Sequence, residues 1–128
     1  VSPIKLLLVD DETGFVDVLS KRLAKRKIKV TNAYNGTDAI QALRKEQFDI
    51  AVLDLKMDDM DGLEVLKIFK KMDPEMPVLM LTGHGSEQAA REGIESGAFD
   101  YLTKPYELED LIEKIREATE RPKRDATP

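Results

Sequence analysis

The sequence predicts an α/β protein: one doubly wound (β/α)5 domain built on a five-stranded parallel sheet. Short apolar runs of strand length, such as Leu6-Leu7-Leu8-Val9 and Ile50-Ala51-Val52-Leu53, alternate with longer stretches whose apolar residues recur at helical spacing. The third and fourth runs are nearly continuous in apolar residues, as strands covered by helices on both faces require. The chain has 128 residues, a length suited to a single domain with its own core.

The strands are expected at Ile4–Val9, Ile28–Ala33, 49–53, 77–81 and 99–103. The first helix follows the first strand and carries Phe15, Val18, Leu19 and Leu23 as its apolar stripe. A second, after the turn at Asn35-Gly36, offers Ala39, Ile40 and Leu43, and a third offers Leu63, Leu66 and Phe69 before Pro74 ends it. The fourth, over 86–96, has only Ala89, Ala90, Gly93 and Ile94 for the sheet, and glycine is a poor helix former, so it is expected to be the least firmly held. The fifth carries Leu108, Leu111, Ile112, Ile115 and Ala118. Right-handed crossovers make a doubly wound sheet the economical topology, and the order expected for it is the flavodoxin-like 2-1-3-4-5. Residues 1–120 are read as the domain and 121–128, a polar stretch with two prolines, as a tail or the start of a linker.

Composition narrows the function. Apolar residues make up 41% and charged residues 35%, too much hydrophobic material for a disordered chain. A net charge of −5 has the wrong sign for gripping nucleic-acid phosphates, so direct nucleic acid binding is not expected. The absence of cysteine removes disulfides, thiolate metal sites and cysteine nucleophiles, and fits a cytoplasmic setting. No apolar run is long enough for a bilayer, and the N-terminus does not read as a signal peptide, so no membrane partner is expected.

Ligands of open parallel sheets bind at the carboxyl ends of the strands. There the sequence places Asp10 and Asp11 after the first strand, Asp54 after the third, Thr82-Gly83 after the fourth and Lys104-Pro105 after the fifth. Taken singly, each has an ordinary explanation: an acidic helix start, a loop cap, a turn residue, an exposed charge. Together they do not, because carboxylates about 4 Å apart repel by ~4 kcal/mol per pair at an effective dielectric of about 20, and something cationic must offset that. A hard dication suits such oxygen ligands, and Lys104 supplies a second positive charge. Asp58, Asp59 and Asp61 are read as a solvated acidic loop before Gly62.

These residues resemble a known family. Asp10-Asp11, the segment Asp54-Leu55-Lys56-Met57-Asp58-Asp59-Met60-Asp61-Gly62, Leu81-Thr82-Gly83 and Gly97-Ala98-Phe99-Asp100-Tyr101-Leu102-Thr103-Lys104-Pro105 look like those of response regulator receiver domains of bacterial two-component systems, over nearly the whole chain. The resemblance implies a phosphorylation-dependent switch rather than an enzyme with a substrate of its own. Asp54 is then the phosphoacceptor, Asp11 a direct Mg2+ ligand and Asp10 a ligand through water, with Lys56 contributing its backbone carbonyl. Thr82 and Lys104 would hold phosphoryl oxygens, Thr82 and Tyr101 would form the switch pair, and the Lys104-Pro105 bond would be cis.

The implied partners are a sensor histidine kinase or histidine phosphotransfer protein, docking near Phe15 and Leu19. The face built by the fourth helix, fifth strand and fifth helix is the implied output surface and a candidate for homodimerisation. The segment reads as an excised regulatory domain with an output domain in a longer chain; a free-standing regulator, a transcription factor's receiver and a hybrid kinase's receiver all stand open as its context. The sequence departs from the family at Asp58, where many relatives carry proline. Lys56 and His84 flank the approach of hydrolytic water in the family pattern and are expected to set phosphate lifetime; His84 is otherwise read as a partly exposed loop residue. Two other readings stand beside this one: a receiver-like interaction module that works without phosphorylation, and a Mg2+-dependent phosphohydrolase. The second is disfavoured by Lys56, which stands where such enzymes place a second acid.

Overall fold

The computed structural model describes residues 2–57, 59–83 and 85–120. The elements are β1 (Ile4–Val9), α1 (Thr13–Ala24), β2 (Ile28–Ala33), α2 (Gly36–Lys45), β3 (Ile50–Asp54), α3 (Gly62–Met72), β4 (Val78–Thr82), α4 (Glu87–Glu95), β5 (Asp100–Thr103) and α5 (Leu108–Glu120). Every strand pair is parallel and the sheet order is β2-β1-β3-β4-β5. This is the doubly wound arrangement that the alternating periods predict. The expectation for residues 121–128 lies outside the described residues.

Alternation along the strands sorts the core into two layers. Leu6, Leu8, Ile50, Val52, Leu79 and Leu81 face α1 and α5, where they meet Val16, Leu19, Leu23, Leu111, Ile112, Ile115 and Ala118. Leu7, Val9, Ala51, Leu53, Val78 and Met80 face the other way, toward Ala39 of α2 and Val65, Leu66 and Phe69 of α3. Burying side chains of this size on both faces is worth roughly 1.5–3 kcal/mol each, which is why the central strands tolerate no polar residue until their ends.

Three strands differ from the periodicity by one residue at one or both ends. β3 and β4 begin and end one position later than expected, and β5 begins one later, at Asp100. Hydrophobicity marks where the apolar run stops, but the ladder continues past it. Asp54 pairs with Leu81, Thr82 pairs with Thr103, and Leu55 N–H donates to Leu81 carbonyl at 3.1 Å. Asp54 and Thr82 are thus the last strand residues, held by the sheet's own hydrogen bonds.

The helix stripes of α3 and α5 run as the spacing predicts, with Val65 added to α3. In α1 the buried residues are Val16, Leu19 and Leu23, while Val18 is 55% exposed, contrary to the expected stripe. Val18 sits two positions from Val16, about 200° around the helix, and so cannot share the side aimed at the sheet. Local caps fix the helix starts: Asn35 Oδ1 accepts from Asp38 N–H at 2.7 Å, and Asp61 Oδ1 accepts from Leu63 N–H at 3.0 Å.

The fourth helix is short and has no side-chain cap at Ser86. Ala90 and Gly93 face inward and Ile94 is 41% exposed, so Ile94 does not join the buried stripe. Gly93 has a packing role: a Cβ there would collide with the Met80 thioether, so the missing side chain is what lets α4 lie directly on β4.

Candidate functional site

Four strand ends bring the site together. Asp10 follows β1 and is fully buried, with its N–H donating to Ala33 carbonyl of β2. Asp54 closes β3 at 6% exposure and Thr82 closes β4 at 3%. Lys104 follows β5, and its N–H donates to Thr82 carbonyl at 2.7 Å. Its ammonium lies 3.2 Å from Asp10 Oδ2, 3.5 Å from Glu12 Oε1 and 3.6 Å from Asp54 Oδ2. One half-buried cation thus serves three carboxylates. Its far side rests on the ring of Phe15, 5.0 Å from the centroid, a cation–π contact.

The charge balance leaves Asp54 short of compensation. Burial pushes its carboxyl up to about 6; the Lys56 N–H and the Lys104 charge hold it down, and the charges of Asp10 and Asp11 add to the rise. For Lys104, burial acts to lower its pKa, but Asp54, Asp10 and Glu12 outweigh it and the net shift is upward. The ammonium therefore stays charged at neutral pH, while Asp54 is the carboxylate that gains most from a further cation.

The donor set fits a hard dication. Oxygens of Asp10, Glu12 and Asp54 lie within 4.8 Å of one another, and carboxylate oxygens crowded around a single ammonium are suited to Mg2+. Asp11, the direct ligand in the family pattern, is not in that group; it is half-buried and acts on Asp54 through its charge. Glu12, to which the sequence reading gave no place in the site, is in that group. Its N–H also donates to Asp10 Oδ1 at 3.0 Å, so the turn after β1 folds its side chain back over the cluster.

The remaining residues of the sequence pattern surround this cluster. Lys56 N–H donates to Asp54 Oδ1 at 3.2 Å, which fixes the acceptor carboxylate and the start of the following loop. Behind it, Gly62 lies so close that a Cβ would stand 2.5 Å from Leu55 Cα, so only glycine fits at the start of α3. Thr82 Oγ1 lies 3.4 Å from both Leu102 carbonyl and Thr103 Oγ1, pointing to β5. Tyr101 is 37% exposed, and the Lys104–Pro105 peptide bond is cis. The roles expected of Asp58 and His84 lie outside the described residues.

Sequence reasoning also missed Tyr106 and Asp59. The Tyr106 hydroxyl is buried with no hydrogen-bond partner among the described residues, and burial, with Asp10 and Asp54 adding, pushes it up to about 12. Asp59 is exposed, as a solvated loop residue should be, yet its carboxylate accepts hydrogen bonds from Gly36 and Thr37 of α2. No local pattern signals a partner 23 residues away.

The family model described as "Response regulator receiver domain" matches residues 6–116. The chain belongs to the response regulator receiver domain family. This receiver domain is 38% identical over 118 residues to the transcriptional regulatory protein GlrR of Escherichia coli, covering 92% of this chain and 27% of that protein. Against TrcR of Mycobacterium tuberculosis it is 39% identical over 115 residues, 90% of this chain and 45% of that one. The chain thus spans only a quarter to a half of these curated relatives. A response regulator receiver domain protein from Clostridium thermocellum has the same fold, with a TM-score of 0.89 at 32% identity, covering 92% of this chain and 95% of that one. Membership of this family supports a phosphorylation-dependent signalling switch, and receiver domains of transcriptional regulators are signalling domains. Among the described residues, no helix is long and apolar enough to cross a membrane.

Proposed function

We propose that this receiver domain accepts a phosphoryl group on Asp54 from the phosphohistidine of a sensor histidine kinase or histidine phosphotransfer protein, in the cytoplasm and with Mg2+ as cofactor. The observation that carries this reading is Asp54 itself: a carboxylate at a strand end, buried, raised to about 6 and 3.6 Å from a lysine ammonium.

In the transfer, an Asp54 carboxylate oxygen attacks phosphorus. The phosphorus–nitrogen bond of the donor breaks, its electron pair stays on the imidazole nitrogen, and an acyl phosphate forms. The Lys56 N–H, bonded to Asp54 Oδ1, orients the carboxylate and leaves Oδ2, the oxygen beside Lys104, to react. Lys104 is poised to follow the incoming phosphoryl oxygens, and the Thr82 hydroxyl, by turning away from β5, to hold another. Asp11, Asp54, the Lys56 carbonyl and, through water, Asp10 would hold Mg2+, with Glu12 close enough to compete. The ion, when bound, offsets charge on the equatorial phosphoryl oxygens.

Signalling then follows from Thr82. Its movement toward the phosphoryl group opens space for Tyr101 to turn inward, and α4, short and resting on Met80 through Gly93, repacks. The α4-β5-α5 face, where Ile94 and Tyr101 are exposed, is the output and homodimer surface. Kinase docking uses the apolar groove beside the site lined by Phe15, Val18, Leu19, Tyr106 and Leu108. An output domain in a longer chain completes the reading.

The test is incubation with a small-molecule phosphodonor with and without Mg2+, following intact mass for wild type and Asp54→Ala. One added phosphoryl group that needs both Mg2+ and Asp54 is the expected result. No gain under any condition favours a module that acts without phosphorylation.

A further inference from the structure

We propose that Asp59 is a positioning residue of the phosphoacceptor site, one that ties the segment between β3 and α3 to the first turn of α2. The inference rests on the site reading above, in which the Lys56 carbonyl faces Mg2+.

Both oxygens of Asp59 are engaged. Gly36 N–H donates to Oδ1 at 3.0 Å, while Thr37 N–H and Thr37 Oγ1 donate to Oδ2 at 3.2 and 3.3 Å. First-turn amides have no partner inside their own helix, so a carboxylate there satisfies donors that would otherwise face water. Yet α2 has its own cap in Asn35, which takes the Asp38 N–H at 2.7 Å. Asp59 therefore does more than start the helix: it joins two segments distant in sequence. Met60 reinforces the junction, since a Cβ on Gly36 would stand 2.9 Å from its sulfur.

The joined segment is the one that leaves the acceptor. Its ends are fixed by Lys56 N–H on Asp54 Oδ1 at 3.2 Å and by Gly62 N–H on Leu55 carbonyl at 3.2 Å. Between them, Asp59 supplies a hydrogen-bonded link to a different element. The carbonyl of Lys56 can serve as a ligand only if the chain after it is held in one course. An ion bound there and the link to α2 favour the same course, so each must strengthen the other.

Three measurements test this. Mg2+ titration by calorimetry should show Asp59→Ala binding roughly tenfold more weakly than wild type, the low end of the scale of losing a group that supports a ligand. Asp59→Asn, which keeps one acceptor oxygen, should fall between them. Asn35→Ala, which removes the other α2 cap without touching the segment, should lower stability and leave Mg2+ affinity unchanged. In hydrogen exchange, Mg2+ should add protection at the Gly36 and Thr37 amides of wild type and of Asp59→Asn.

Equal Mg2+ affinity in wild type, Asp59→Asn and Asp59→Ala overturns the link, as does an equal loss in Asn35→Ala, which would make the effect one of stability alone. A wild-type chain that takes up no Mg2+ overturns the site reading and this role with it. If Asp59→Ala does not fold, Asp59→Asn and the exchange measurement decide.

Discussion

Asp49 precedes β3 and Asp54 ends it, and the fold treats them in opposite ways. Asp49 is exposed at the amino edge of the sheet, where its carboxylate accepts the Lys5 N–H at 2.8 Å. Nearby, Lys5 pairs with Glu46 at 2.9 Å, both side chains well exposed. At the carboxyl edge, Asp54 is buried beside a buried Asp10 and shares one ammonium with it. The amino edge satisfies its charges cheaply, through water and backbone. The carboxyl edge withholds water and undersupplies positive charge, leaving an attraction for cations. Identical side chains a few residues apart become a loop anchor and the carboxylate proposed as the nucleophile.

The sharpest way to break this contrast is to remove each aspartate. Asp54→Ala should abolish phosphoryl acceptance by intact mass, and Asp49→Ala should leave it unchanged; acceptance surviving in Asp54→Ala would move the nucleophile elsewhere. Next in size is the cation. Lys104→Met should slow phosphorylation by about 100-fold, on the scale of losing one electrostatic donor to a transition state, and should cost about 1–3 kcal/mol in urea unfolding at pH 7 because it strands buried carboxylates. Lys5→Met, at the other edge, should cost less than about 1 kcal/mol.

A third effect has the opposite sign. The Asp54 carboxyl is raised from 3.8 to about 6, so the folded state holds its proton more tightly than the unfolded chain does. That contribution to stability is complete below pH 3.8 and is lost as pH rises through about 6. At pH 7 without Mg2+, Asp54→Asn should therefore be more stable than wild type by about 1–2 kcal/mol, allowing for screening at the mouth of the site, and the gain should vanish below pH 3.8. A gain independent of pH would detach it from Asp54 ionisation. At the other edge, Asp49→Ala should cost about 0.5–1.5 kcal/mol, the worth of one hydrogen bond at an exposed edge.

Much of this was legible in the chain. Continuous apolar runs gave the central strands away because burial on both faces leaves no polar alternative, and right-handed crossovers made a doubly wound sheet the economical arrangement. Once the strands were read as parallel, Asp10, Asp54, Thr82 and Lys104 fell at one edge without any coordinates. The misses share a cause. Val18 lies in an apolar stretch yet faces out, because periodicity assigns a side only after the helix is rotated onto its sheet. Gly93 reads as a weakness until Met80 beneath it is seen.

The sequence by itself determined the doubly wound architecture and the edge where the chemistry collects, since these follow from hydrophobic period and parallel connectivity. Only the tertiary structure decided that Glu12 rather than Asp11 closes over Asp10 and Asp54, that one lysine ammonium serves all three carboxylates, and that Asp59 reaches across to α2. Those outcomes depend on where side chains far apart in sequence point once packed. Coulomb and hydrogen-bond energies change over a few ångströms, a scale at which spacing along the chain carries no information.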